Sequence, residues 1–161
     1  MTAPTASATG ATGATSASKA TVPCAQCRTL NRVDLSRLSD GPRCAKCQAP
    51  LALDHPVPVG DADFDRVMAD SPVPVLVDFY ADWCGPCRAM APQLDAYAQR
   101  NAGSVLVAKV DTDRAPNVSQ RFGIRSIPTL AVFVGGKEAG REVGAVPIQR
   151  LEALVAAARK T

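Results

Sequence analysis

The sequence predicts an α/β fold, a central mixed sheet flanked by helices, preceded by a small cysteine-rich module. Three observations lead there. Apolar runs at Val75–Tyr80, 105–110 and Thr129–Val134 alternate with segments of helical periodicity. The six cysteines fall into three C-x-x-C pairs: Cys24/Cys27, Cys44/Cys47 and Cys84/Cys87. Of the first 21 residues, 18 are Ala, Thr, Ser or Gly. Such a segment buries too little apolar surface to offset ordering entropy, so residues 1–21 are expected to be a disordered tail.

Charge excludes several classes. The 161 residues carry 18 Lys+Arg against 15 Asp+Glu, a net +3. From His55 onward there are 12 basic and 12 acidic residues. That balance argues against nucleic acid or an anionic membrane as partner. No apolar run approaches the roughly 20 residues of a membrane span. No charged stretch followed by an apolar one marks a secretory leader, and the tail, with Lys19 and no Arg, lacks a transit-peptide pattern. A reducing, cytoplasmic setting is therefore expected, where C-x-x-C pairs read as metal ligands or redox centres. A monomer is expected.

Residues 22–54 read as a zinc ribbon. Cys24-x2-Cys27 and Cys44-x2-Cys47 are separated by sixteen residues, within the range of such ribbons. Each pair supplies two thiolates from a tight turn, and zinc takes four in a tetrahedron. Leu30, Val33, Leu35 and Leu38 offer only a small core, and Asp40-Gly41-Pro42 marks a turn. About thirty residues rarely fold on so little. One structural Zn²⁺ contributes roughly 10–16 kcal/mol of apparent folding free energy. Two disulfides or four free thiols are the other readings. With five basic and three acidic side chains, the zinc-loaded module is near neutral. His55 follows it and reads as a linker residue.

Residues 55–161 form the larger domain. Pro56-Val57-Pro58-Val59 suits a short edge strand, where proline is allowed. Asp61 is placed to cap a helix carrying Phe64, Val67 and Met68. Val75–Tyr80 is apolar on both faces, as in a central strand. The helix after the third cysteine pair, 87–100, shows Met90, Leu94 and Tyr97 on one side, and Pro92 should kink it. A strand at 105–110, a short helix at 115–122, strands at Thr129–Val134 and 138–143, and a last helix showing Ile148, Leu151, Leu154 and Val155 complete a β-α-β-α-β-α-β-β-α order.

The third pair sits where strand gives way to helix. A helix N-terminus has unpaired N–H groups and partial positive charge, which favour a thiolate. Cys84 is therefore the expected nucleophile. Cys87, one turn further in and less exposed, resolves the mixed disulfide. Pro86 is tolerated in the first turn, and Gly85 leaves room for a partner's sulfur. Asp78 interrupts a strand buried on both faces, so its pKa should rise, which suits proton transfer beneath a dithiol. Trp83 flanks Cys84, either as contact surface or as packing. Pro128 heads a strand, where it cannot donate to the ladder.

The stretch Val77-Asp78-Phe79-Tyr80-Ala81-Asp82-Trp83-Cys84-Gly85-Pro86-Cys87 resembles the active site of the thioredoxin family. Joined to a ribbon with Leu30-Asn31-Arg32-Val33 and Pro50-Leu51, it resembles the thioredoxin-2 type. Tyr80 departs from the pattern, standing where many members have a tryptophan. The resemblance implies a thioredoxin fold and protein-disulfide reductase activity. It makes Asp78 the base for Cys87, with Lys109 beside it. It implies a cis bond at Pro128, exposing the Ile127 backbone to pair with a substrate strand. It also implies structural zinc, no organic cofactor of the chain's own, disulfide-bearing targets, and electrons from an NADPH- and flavin-dependent thioredoxin reductase. The readings set against this are a thiol oxidase or isomerase, and a zinc-dependent redox sensor or redox-regulated chaperone worked by the ribbon cysteines.

Overall fold

A computed structural model describes residues 18–160 of the chain. The tail expected at 1–21 lies outside the described residues as far as residue 17. Its last three residues are a correction, because Lys19–Pro23 is a strand, β1. It pairs antiparallel with β2, Leu30–Asp34. The reason is burial: Ala20, Thr21 and Val22 are all covered. A short 3-10 segment, Leu35–Asp40, follows, with Asp34 accepting the Ser36 N–H at its start. Its end turns through Gly41, at φ 69°, a conformation glycine adopts without steric cost. Leu30, expected in the ribbon core, is among the exposed apolar residues. Its place is taken by Leu51 and Leu53, which follow the second cysteine pair and are buried.

The larger domain follows the expected order: β3 (Val57–Pro58), α1 (Phe64–Asp70), β4 (Val75–Tyr80), α2 (Gly85–Arg100), β5 (Leu106–Asp111), α3 (Pro116–Arg121), β6 (Thr129–Val134), β7 (Lys137–Val143) and α4 (Ile148–Ala158). The sheet runs β3-β5-β4-β6-β7. β3 and β4 lie parallel to β5, while β6 and β7 are antiparallel. The two-residue period of β4 divides two cores. Val75, Val77 and Phe79 face α1 and α3, with Phe64, Val67 and Val118. Leu76 faces α2 and α4, with Met90, Leu94, Tyr97, Leu151 and Val155.

Asp61 is a second correction. It does not cap α1; Asp63 holds that position, with no side-chain cap. Instead the Asp61 carboxylate accepts the N–H groups of Asn117 (3.2 Å) and Val118 (2.9 Å). It thus satisfies the first turn of α3, whose own preceding residue, Ala115, has no side-chain acceptor. α2 continues through Pro92 as one helix.

The ribbon is docked on the larger domain, and its buried residues join the core that contains Phe64 and Val67. Thr21 Oγ1 donates to Asp70 at 2.7 Å, and Arg32 pairs with the same carboxylate at 3.6 Å. Arg28 donates to the Pro58 carbonyl at 3.0 Å and pairs with Asp63 at 2.6 Å. The module therefore gains apolar and polar contacts that its own thirty residues do not supply.

Phe64, Phe122 and Phe133 form a closed aromatic trio with centroids 5.2–5.4 Å apart. Phe64→Ala should cost about 3–5 kcal/mol in urea unfolding. A loss near zero would show that the trio does not hold α1 to the sheet.

Candidate functional site

β4 ends at Tyr80 and α2 begins at Gly85; Cys84 closes the turn between them and is joined in a disulfide to Cys87 in the first turn of α2. Cys84 is the N-cap of α2, with extended backbone (φ −83°, ψ 113°). Its sulfur accepts the Cys87 N–H at 3.2 Å. Sulfur here takes the place of the usual Ser or Asp oxygen. In the reduced state the same N–H and the helix dipole favour a thiolate at Cys84. The expected difference in exposure is absent: each cysteine is 4% exposed. What separates them is position, since Cys84 Sγ lies 3.8 Å from the Ile127 carbonyl oxygen. The Ile127–Pro128 bond is cis. A Cβ placed on Gly85 would meet no atom within 4 Å, so the fold itself leaves that approach open. Trp83 is 67% exposed. Its ring is therefore not core packing, and Nε1 donates to Asp113 at 2.9 Å.

Asp78 is buried, and its Oδ1 has no hydrogen-bond partner among the described residues. Burial pushes its pKa up to about 7, and the positive charge of Lys109 only partly offsets this. Lys109 stands opposite Asp78 in the β4/β5 register. Its Nζ lies 5.7 Å from the centre of the Tyr80 ring. Asp78 and Cys87 line one cavity of about 380 Å³. His55 and Asp95 line the same cavity, 4.0 Å apart. His55 is thus more than a linker residue. Nothing in the sequence signals this, because the contact exists only once the ribbon's exit is laid against α2.

The other four cysteines converge, with all four sulfurs within 4.8 Å of one another. The Cys24–Cys47 and Cys27–Cys44 sulfur pairs are each 3.6 Å apart. A tetrahedron with Zn–S bonds of about 2.3 Å has edges of about 3.8 Å, so the donor set fits zinc. The two pairs sit in matching turns. Arg28 N–H donates to the Cys24 carbonyl and Cys24 N–H to that of Thr29; Gln48 and Cys44 donate in the same way to Cys44 and Ala49. Arg28 (φ 64°) and Gln48 (φ 66°) both take the left-handed conformation directly after the second cysteine. N–H groups of Cys47, Lys46 and Asn31 pull the Cys44 thiol down to about 6. The Asn31 amide donates to Cys44 Sγ at 3.6 Å, and its oxygen accepts the Ala45 N–H. That second-layer role was not read from the sequence, where Asn31 was only part of a resemblance.

Residues 55–157 match the family model described as Thioredoxin, which spans more than half of the chain. The chain belongs to the thioredoxin family. Its members are thiol-disulfide oxidoreductases, and the five-stranded domain has the thioredoxin fold. Residues 23–49 match a second model, the zinc ribbon described as Thioredoxin 2, N-terminal. Thioredoxin 1 of Nostoc sp. is 54% identical over 89 residues, covering 55% of this chain and 83% of its own. Thioredoxin C-3 of Corynebacterium nephridii is 37% identical over 129 residues, covering 80% and 88%. A mutant thioredoxin from Halobacterium salinarum NRC-1 aligns with TM-score 0.59 and 35% identity over 65% of this chain and 91% of its own. Among the described residues no helix is long and apolar enough to cross a membrane.

The raised pKa of Asp78 has a consequence for stability. Its folded value, about 7, exceeds the ordinary aspartate value of 3.8. The folded state therefore binds more protons between those values, and stability falls as pH rises through that window. Asp78→Asn should make the oxidised protein more stable above neutral pH, by up to about 4 kcal/mol, and by little near pH 4. Urea titrations at both pH values check this, and a pH-independent difference would contradict the burial argument.

Proposed function

We propose that this thioredoxin is a protein-disulfide reductase in which Cys84 attacks the target, Cys87 resolves and Asp78 serves as base. The observation that carries this reading is the Cys84 sulfur at the N-cap of α2, accepting the Cys87 N–H. Reduced Cys84 thiolate attacks one sulfur of a target disulfide. The S–S bond breaks, a Cys84–target mixed disulfide forms, and the first target thiolate leaves. Cys87 then gives its proton to the Asp78 carboxylate and attacks Cys84 Sγ. The Cys84–Cys87 bond forms and the second target thiolate leaves. Two electrons pass from the dithiol to the target. Oδ1 of Asp78, without a hydrogen-bond partner among the described residues, supports the base role. A carboxyl with pKa about 7 accepts and releases protons near neutrality. Lys109 tempers that pKa. Trp83 and the Ile127–Pro128 backbone offer the surface on which a target strand rests.

The reading extends to the chain's surroundings. A flavin-dependent thioredoxin reductase would return electrons from NADPH, so those cofactors belong to the partner, and the setting is the cytoplasm. Residues 19–54 act as a zinc-holding module on the catalytic domain, 55–161. Cys24, Cys27, Cys44 and Cys47 would hold one structural Zn²⁺, which cross-links the two knuckles when bound.

Cys84→Ser should abolish reduction of a protein disulfide. Cys87→Ser should accumulate a covalent complex on non-reducing gels, and its absence would remove Cys87 as the resolving thiol. Mass spectrometry under native conditions should find one zinc per chain. Strong chelation should lower the unfolding midpoint, whereas a metal-free protein of equal stability would make zinc dispensable to the fold.

A further inference from the structure

The ribbon's first knuckle shares a groove with Asp82, two residues before Cys84. A groove of about 520 Å³ runs between the two modules. One wall is the ribbon, Ala25 and Arg28; the other is Asp82, Asp111 and Arg114. Its floor includes Pro58, Gly60 and Tyr80, at the carboxyl ends of the parallel strands β3 and β4. Crevices at such strand ends are where α/β sheets take ligands.

Three features make this more than a seam. The ribbon wall is held in place: Arg28 is tied to the Pro58 carbonyl and to Asp63, and Ala25 lies inside the Cys24/Cys27 turn. The far wall is free to make contacts, since Asp82 is exposed and the Arg114 side chain is 85% exposed, with its partner Asp111 at 3.8 Å. The groove also adjoins the reacting atoms. Asp82 is two residues from Cys84, at most about 7 Å along the chain. A polypeptide whose cystine is attacked by Cys84 would reach the groove within two or three extended residues, at about 3.4 Å each. Trp83, tied to Asp113 at 2.9 Å, lies between the dithiol and the groove.

We infer that the ribbon forms part of the docking surface for target proteins, with the polar flank of a disulfide-bearing target lying in the groove between Ala25 and Arg114. Continuity with the dithiol favours this occupant, and both charge signs on the walls suit a polar segment. The inference rests on the reductase reading above. On it, the zinc ligands help bind substrate indirectly, by fixing one wall.

The test compares two substrates. Ala25→Trp narrows the groove from the ribbon side, and Arg114→Glu reverses a charge on the far side. Each is made in the full, zinc-loaded chain, with zinc content and unfolding midpoint checked. Insulin serves as the protein disulfide and a small aromatic disulfide as the control. The expected result is a rise in KM for insulin of about fivefold in each variant, equivalent to about 1 kcal/mol, with the small disulfide reduced at the wild-type rate. Unchanged insulin kinetics in both variants would overturn the inference. So would equal losses on both substrates, which would mark damage to the dithiol, or a rise in KM for the reductase alone. A wild-type protein that reduces neither substrate would instead remove the reductase reading itself.

Discussion

Strand β4 is hydrogen-bonded on both edges and covered on both faces, and the site takes its geometry from that enclosure. Its other residues are buried and mostly apolar, and burial among them raises the pKa of the single carboxyl in the strand, Asp78. The same strand aims the chain at α2, so that Cys84 arrives where the first N–H groups of the helix need an acceptor. On one edge it pairs with β5 and brings Lys109 opposite Asp78. On the other it pairs with β6, whose preceding residues carry Ile127 and cis-Pro128 to Cys84 Sγ. One buried strand thus assembles groups from four separate parts of the chain.

A second constraint governs the ribbon. Its few apolar residues are too few for an independent core, and two solutions operate together. Four converging sulfurs within the module form a donor set whose spacing fits a zinc ion. Thr21, Arg28 and Arg32 bind the module to α1 and to the β3–α1 turn through Asp70, Asp63 and Pro58. Asp63 serves both modules, since its other oxygen accepts the Gly60 N–H at 2.7 Å. Docking carries His55 to the cavity lined by Asp78 and Cys87 and sets Ala25 and Arg28 on a groove with Asp82. The cysteine-rich module therefore lines a groove that it shares with Tyr80 and Asp82 of the larger domain.

Much of this was legible beforehand because periodicity and punctuation are local. The order of strands and helices followed from apolar spacing, and the bounds of β6 were read to the residue. The fold of the catalytic domain and the pairing of the cysteines into two centres were likewise visible in motif and spacing. Errors fell where two local signals competed. Asp61 lies just ahead of α1 in the chain and has the side chain of a cap. The choice was made by α3, an element more than fifty residues away that lacks an acceptor of its own. Lys19, Ala20 and Thr21 look like tail by composition, and only a partner strand and the Asp70 carboxylate make them β structure.

The sequence by itself determined the chemistry: which sulfurs are paired at a helix start, which four are spaced for a metal, and that one carboxyl lies in an apolar strand. These are properties of neighbours along the chain, within the reach of a turn or a strand. Tertiary structure decided how the parts meet. It gave Oδ1 of Asp78 no partner among the described residues, put His55 and Cys87 on one cavity, left Trp83 exposed, and set Ala25 across a groove from Arg114. Each of those facts depends on residues distant in sequence packing at close range, and packing distance is not encoded in any local pattern.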